Sequence, residues 1–298
     1  MKGVNAVAGF GGRGDRVSSR LIVGVSAVGI LLMVFILLFL ILNGLPVLRS
    51  VSLREILTGM DWYPAEEPPA LGMLPLMAGT LAVTLLSSII ALPVSVALAI
   101  FTAEIVPKKA RGYLKVMLEL LGFIPSIVLG FIGLMVVAPW VQLTLNVPTG
   151  LNLLTVSMLI GFLIVPLVAS LAEEAISAVP NELRDASYAL GATRLETVSK
   201  VAVPYALPGI LAGCLLGIMR AMGETMVVLM VAGGAAIIPR SLADPVRPLT
   251  STIAAEMGET PVGSTHYHAL FFAGLILLLI TLLINWASLY LEKRGGMR

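Results

Sequence analysis

The chain has 298 residues, of which 58% are hydrophobic and only 12% charged, with a formal net charge of +2. A soluble globular domain carries about 25% charged residues, so half the expected solvating charge is missing, and the mean hydropathy of +1.01 agrees. A soluble fold, a disordered chain and a nucleic-acid binder are excluded; the single cysteine, Cys214, also excludes an intramolecular disulfide framework and a Cys-based metal site. What remains is an all-α polytopic membrane protein.

A helix crosses the bilayer core with roughly 20 consecutive apolar residues. Runs at 21–43, 76–103, 117–141, 152–172, 205–233 and 267–291 therefore predict six spans. The first follows Lys2, Arg13, Arg16 and Arg20, as a signal peptide would. It is too long for the core of a signal peptide, about 7–15 residues, and no small-x-small cleavage site follows, so it is read as an uncleaved span. With the N-terminus inside, that tail contributes four basic residues. The 104–116 loop adds Lys108, Lys109, Arg111 and Lys115, the 173–204 loop adds Arg184, Arg194 and Lys200, and the C-terminal tail adds Lys293, Arg294 and Arg298. The opposite side carries Arg49, Arg54, Arg240 and Arg247. Fourteen against four is a strong positive-inside bias, which places both termini in the cytoplasm. The expected organisation is a tail (1–20), a first helix with its external loop (21–70), a transmembrane core (71–291) containing the 173–204 loop, and a tail (292–298). The external segments 44–75 and 234–266 are rich in Pro and Gly and too short to form a domain; Trp62, Tyr63 and Trp140 fall near outer boundaries, as interfacial aromatics do.

The 173–204 loop has its own structure signals. Pro180 suits a first helical turn, and Glu182 and Asp185 follow where the positive helix end favours acids. Ala186, Tyr188, Ala189 and Leu190 form a small apolar patch, Gly191 is placed to stop the helix, and Thr193-x-x-Glu196 is a capping box that starts another. Two short helices about a Gly-centred bend are predicted; an ordinary amphipathic connector is the plainer reading. Asp185-Ala186-Ser187, three residues, Gly191, nine residues and Val201-Ala202-Val203-Pro204 resemble the EAA loop of ABC-transporter permeases, E-A-A-x3-G-x9-I-x-L-P. Asp replaces the first Glu, Ser the second Ala, and Val twice replaces another aliphatic. The resemblance implies a coupling helix in which Asp185, Ala186, Ser187, Ala189, Leu190 and Gly191 meet a separate ATPase. The chain has no Gly-Lys-Ser/Thr phosphate loop, so ATP and its Mg are expected on that partner, with no cofactor and no enzymatic activity on this chain.

In the fifth run Arg220 and Glu224 stand where an ionisable group costs at least ~2.5–3.5 kcal/mol. At about 100° per residue, Gly209, Gly213, Gly217, Arg220 and Glu224 share a sector of roughly 80°, and small residues at i, i+4 permit close helix approach. One reading is a salt bridge pinning two helices. The other is a ligand site near the midplane, where transporters bind substrates. Guanidinium matches an oxyanion, and a neighbouring carboxylate is tolerated by an anion that keeps a proton, as hydrogen phosphate does and sulfate does not. Arg220-Ala221-Met222-Gly223-Glu224-Thr225-Met226 resembles the R-A-x-G-E-T-M signature of phosphate ABC permeases of the PstC/PstA type. Gly79-Thr80, Ile124-Pro125-Ser126 and Ala189-Leu190-Gly191-Ala192-Thr193-Arg194 extend the resemblance over roughly 75–291, and Tyr205 after Val203-Pro204 brings the wording closer to PstC.

The resemblance implies a type I ABC importer permease for phosphate in the inner membrane. It also implies a second permease as heterodimer partner, two ATP-binding subunits and an extracytoplasmic phosphate-binding protein. Arg220, Glu224 and Thr225 become expected substrate contacts. Ser126, beside a Pro that frees backbone groups, would add a hydroxyl and a local helix N-terminus, although a packing kink explains Pro125 as well. A molybdate or sulfate permease and a membrane scaffold that relays phosphate status are the rival readings. Met219, Met222, Met226 and Met230 read as helix packing, and two histidines, His266 and His268, do not make a metal site. Reporter fusions after residues 115, 195 and 298 are expected to report cytoplasm, and fusions near 60 and 250 the exterior; one reversed fusion among the first three breaks the six-span orientation.

Overall fold

The computed structural model describes residues 13–294, so Lys2 and Arg298 and most of the two predicted tails' ends lie outside the described residues. Helix α1 (Arg13–Gly44) runs into a tight turn at Leu45–Arg49, a short α2 (Leu53–Thr58) and a two-stranded antiparallel hairpin. Its strands β1 (Trp62–Tyr63) and β2 (Ala70–Leu71) pair Trp62 with Leu71. Helix α3 (Leu74–Ile100) is prolonged by a π-turn at Phe101–Ile105, and α4 (Lys108–Gly122) follows. Then come α5 (Ser126–Ile132), continuous through a second π-turn with α6 (Ala138–Leu145), and α7 (Leu153–Ser177). The remaining elements are α8 (Asn181–Ala189), α9 (Arg194–Thr197), α10 (Val203–Met222), α11 (Met226–Val231), α12 (Leu249–Glu256) and α13 (Thr265–Arg294).

Among the described residues six helical stretches are long and apolar enough to cross a membrane, at Ile22–Arg49, Leu74–Ile105, Ser126–Leu145, Leu153–Ser177, Arg194–Met222 and Thr265–Trp286. The number agrees with the hydropathy reading, but two spans move. The third is 126–145 and not 117–141, because residues 108–122 form a separate helix with a charged face. The chain breaks at Phe123–Pro125, where proline removes an N–H donor and disfavours helical geometry in the residue before it. The fifth span ends at Met222 and not at 233, for Gly223, Glu224 and Thr225 interrupt the helix before α11. The segment 234–266 is more than a loop. It contains α12, whose Leu249, Thr250, Ser251 and Thr252 are buried, and the return from α11 is closed by Val246 N–H to Ala232 O (2.7 Å) and Gly234 N–H to Val246 O (3.1 Å).

The centre of the bundle is α7, flanked by α3 and α10. Hydrocarbon supplies no hydrophobic force between helices, so close packing through small residues has to hold them together. The sequence provides it. A Cβ on Gly217 would fall 2.4 Å from Val168 Cγ2, and one on Gly209 2.5 Å from Ala175 Cβ, so α10 lies directly against α7. Ile160, Ile164 and Ile176 of α7 are fully buried. A second core stands at one end of the spans, where Ile56, Trp62, Leu71 and Met73 of the 44–75 segment close over Leu249 and over Leu270 in the first turns of α13. Here water is excluded, and each large side chain removed from it contributes about 1.5–3 kcal/mol. Helix α1 is peripheral and meets α13 through Phe39 and Phe271, in edge contact at 5.4 Å.

Close approach differs in kind between glycines. A Cβ on Gly150 would lie 1.8 Å from the carbonyl oxygen of Ala138, a backbone atom that cannot rotate away, whereas Gly217 faces the tip of a side chain. Gly150→Ala is therefore expected to cost about 3 kcal/mol and Gly217→Ala about 1 kcal/mol, spanning the usual range for overpacking. Thermal unfolding of the two variants in detergent checks the order, and equal midpoints would remove the basis for it.

Candidate functional site

The Arg220–Glu224 pair is formed, in a geometry that a continuous helix would not give. Helix α10 ends at Met222, so Arg220 sits in its last turn and Glu224 in the break beyond it. The Glu224 side chain is 2% exposed and that of Arg220 42%. Glu224 Oε2 pairs with Arg220 Nη1, while Oε1 accepts the N–H of Val227 at 3.3 Å, filling one of the open donors at the start of α11. Its backbone carbonyl accepts the hydroxyl of Thr250 at 2.9 Å. One residue earlier in the chain, Leu249 N–H donates to Thr80 Oγ1 of α3 at 2.9 Å. Four elements thus converge on the break: α10 brings Arg220, α11 and α12 hold Glu224, and α3 holds α12.

The acid is locked and the base is half open. Arginine has five N–H donors, and among the described residues Glu224 is the sole protein partner of Arg220. The exposed donors are what an anion would use. The expected site residues Thr225 and Ser126 stand nearby to different degrees. Thr225 lies in the break itself, its hydroxyl donating to Gly223 O at 3.3 Å. Ser126 opens α5, which packs on α11 in the same direction. Gly130 faces Val227 and Met230, and Gly133 faces Val231, so Ser126 lies one turn toward the break. Among the described residues no hydrogen bond joins Ser126 to Arg220 or Glu224. Thr250 was not singled out by the sequence, because its partner is 26 residues away and nothing local marks it.

The 173–204 segment has the shape its turn residues predict. Helix α8 ends at Gly191 with φ +83, a left-handed value that glycine adopts without the clash of a Cβ. Thr193 and Glu196 form the complete capping box of α9, and Ser187 and Thr197 join the two helices through hydroxyls 2.9 Å apart. At the tip Leu190 is 90% and Leu195 78% exposed, an apolar pair in a polar loop. The expected contacts Asp185, Ala186 and Ala189 are also exposed, and Ser187 is half-buried.

Beneath the tip, basic residues that the loop count treats as a field of charge are individually paired. Arg111 and Ser177 hydrogen-bond Glu173, and Lys115 bonds Glu174 at 2.8 Å; that bond raises the Lys115 pKa above its ordinary value. Arg184 donates to Glu104 Oε1 at 2.8 Å, and Arg194 bonds the Glu104 carbonyl. Neither Glu104 nor Glu173 is marked as a site by its neighbours in sequence. The histidines are occupied separately, His266 with Glu256 at 2.7 Å and His268 with the Asn43 carbonyl at 2.6 Å.

Comparison with known proteins gives a consistent set. Residues 95–295 match the family described as "Binding-protein-dependent transport system inner membrane component". The chain is 39% identical to the probable ABC transporter permease protein YqgH of Bacillus subtilis, covering 94% of this chain and 92% of that protein. It is 34% identical to the phosphate transport system permease protein PstC of Mesorhizobium japonicum, covering 80% and 78%. Among solved structures, a bacterial alginate ABC transporter in complex with an alginate-bound periplasmic protein superposes with TM-score 0.63 at 13% identity, over 94% of this chain and 96% of that one. An inward-facing MetNI methionine ABC transporter gives 0.58 at 21%, over 72% and 92%. At those identities the likeness is one of fold.

Proposed function

The chain belongs to the family of binding-protein-dependent transport system inner membrane components, and on that premise we propose that it is the PstC-type permease subunit of an ATP-driven importer for inorganic phosphate. In this reading both termini and the 173–204 loop face the cytoplasm. The Leu190–Leu195 tip, with Asp185, Ala186, Ser187, Ala189 and Gly191 around it, docks on one of two ATPase subunits that hold ATP and Mg. A second permease completes the pathway, and an extracytoplasmic phosphate-binding protein delivers the anion. This chain hydrolyses nothing and carries no cofactor of its own. The relatives named PstC at 34% and 30% identity support phosphate as the cargo.

The observation that carries the site is the unequal burial of the pair, 2% for Glu224 and 42% for Arg220. A buried carboxylate needs its cationic partner, but packing alone does not need that partner's other donors left open. Here the carboxylate orients the guanidinium and leaves its remaining N–H groups open. Hydrogen phosphate would accept from those donors and offer its own P–OH to the carboxylate, with the Thr225 and Ser126 hydroxyls at the flanks. Sulfate has no proton to offer, so the same carboxylate repels it, and specificity gains from such a repulsive element.

The test is ATP-driven uptake of phosphate and of sulfate by the reconstituted transporter, at matched expression. Arg220→Gln removes a charge-assisted contact and is expected to lower phosphate uptake about 10- to 100-fold, the equivalent of roughly 1.5–3 kcal/mol. Glu224→Gln is expected to be milder, since an amide still accepts a hydrogen bond, and to narrow the preference for phosphate over sulfate. The exchanged pair Arg220→Glu with Glu224→Arg should fail. Wild-type phosphate uptake in that exchanged variant would reduce the pair to a structural salt bridge, and a wild-type preference for molybdate or sulfate would reassign the cargo.

A further inference from the structure

Two helical rods connect the loop tip to the Arg220–Glu224 break, and they reach it from different sides. Helix α10 is continuous with α9 through a π-turn at Val198–Ala202 and carries Arg220 in its last turn. Helix α3 has no covalent link to the loop. Its far end nevertheless governs Glu224, for Gly79 packs on the Arg247–Pro248 backbone, Thr80 holds Leu249, and Thr250 holds the Glu224 carbonyl. With its π-turn, α3 spans 32 residues, about 48 Å at 1.5 Å per residue.

Beyond apolar packing at Val179, the hydrogen bonds that join α3 to the loop among the described residues all run to one residue. Glu104 lies in the π-turn that closes α3 and is nearly buried. Such a turn inserts an extra residue and re-aims the side chains beyond it. Its carboxylate takes Arg184 of α8, and its carbonyl takes Arg194, the first residue of α9. Arg184 is anchored a second time, by Val179 O at 2.6 Å and Ile176 O at 2.9 Å, which are carbonyls at the C-terminal end of α7. Both helices of the loop therefore grip the same residue, and α7 braces the grip.

We propose that Glu104 is a positioning residue for coupling: through Arg184 and Arg194 it makes α3 follow the 173–204 loop, so that Arg220 on α10 and Glu224, held by α3 through α12, move together. Without the clamp a displacement of the loop reaches α10 directly along the chain, and α3 only through its packing against α7 and α10. Arg220 then shifts further than Glu224, and the site responds to the ATPase in part only. The proposal rests on the permease reading and not on the identity of the anion.

The experiment uses the complete transporter, with its second permease, ATPases and binding protein, in vesicles. Two quantities are read: the stimulation of ATP hydrolysis by the binding protein, and phosphate taken up per ATP hydrolysed. Glu104→Gln and Arg184→Gln are each expected to lower both at least tenfold, with the assembled complex still recovered intact. The double variant should be no worse than the more severe single one, because both remove the charge assistance from the same contact. Additive losses, or an unchanged stimulation in either single variant, would overturn the proposal. Should the glutamine variants fail to assemble, Glu104→Asp and Arg184→Lys keep charge and shorten or blunt the reach. These are expected to assemble and to lose stimulation, and wild-type stimulation in both would overturn the clamp. If wild-type vesicles take up no phosphate, the cargo assignment falls, while binding-protein stimulation still reads the clamp.

Discussion

In a hydrocarbon setting a helix cannot stop without an answer for the backbone groups it releases, and the interruption at Gly223–Thr225 is organised by that constraint. The Val227 N–H finds the Glu224 carboxylate, and the Glu224 carbonyl finds the Thr250 hydroxyl. The N–H of Leu249, at the first turn of α12, finds Thr80. Each repair is made by a different element, so the break fixes where α11, α12 and α3 stand relative to α10. A pocket for a charged ligand then needs little more. Glu224 is already held for backbone reasons, and the arginine one turn before it takes its direction from that carboxylate.

The same carboxylate therefore has two duties of different strength. As a backbone cap it is buried and fixed; as the partner of Arg220 it leaves half of the guanidinium free. A mutation at Glu224 disturbs both duties and one at Arg220 only the second. Loss of function at Glu224 alone does not separate ligand binding from helix repair, and for this reason the sulfate response, which only the proposed ligand contact would affect, carries more information than the size of the loss.

The local features were legible from the sequence, and the non-local ones were not. The bend at Gly191 and the box of Thr193 and Glu196 follow from residues within four positions of each other, and the structure reproduces them. The six spans are legible because apolar runs are long, yet hydropathy is blind to where a helix stops inside one. Leu120 and Leu121 read as membrane residues although they belong to α4, and Met226–Val231 reads as a continuation of α10 although three residues separate them. Reading Arg220 and Glu224 as neighbours on one helix face found the correct pair by a geometry that ends two residues too early. Glu104, Glu173 and Thr250 were out of reach, since their partners lie 80, 62 and 26 residues away and each is an unremarked residue in an ordinary stretch.

The paired cations also bear on how charge sets orientation. Arg111, Lys115, Arg184 and Arg194 are counted as free positive charge in the loop argument, and all four are bonded to Glu104, Glu173 or Glu174 in the folded chain. A net-charge rule would discount them heavily. The positive-inside bias is instead a count of Lys and Arg near span ends, to which Asp and Glu contribute little. The partners Glu104 and Arg184 belong to segments on either side of two spans, so the pair forms only when those spans are packed. The same charges, once pairing is possible, become the ties that hold the loop to α3 and α7.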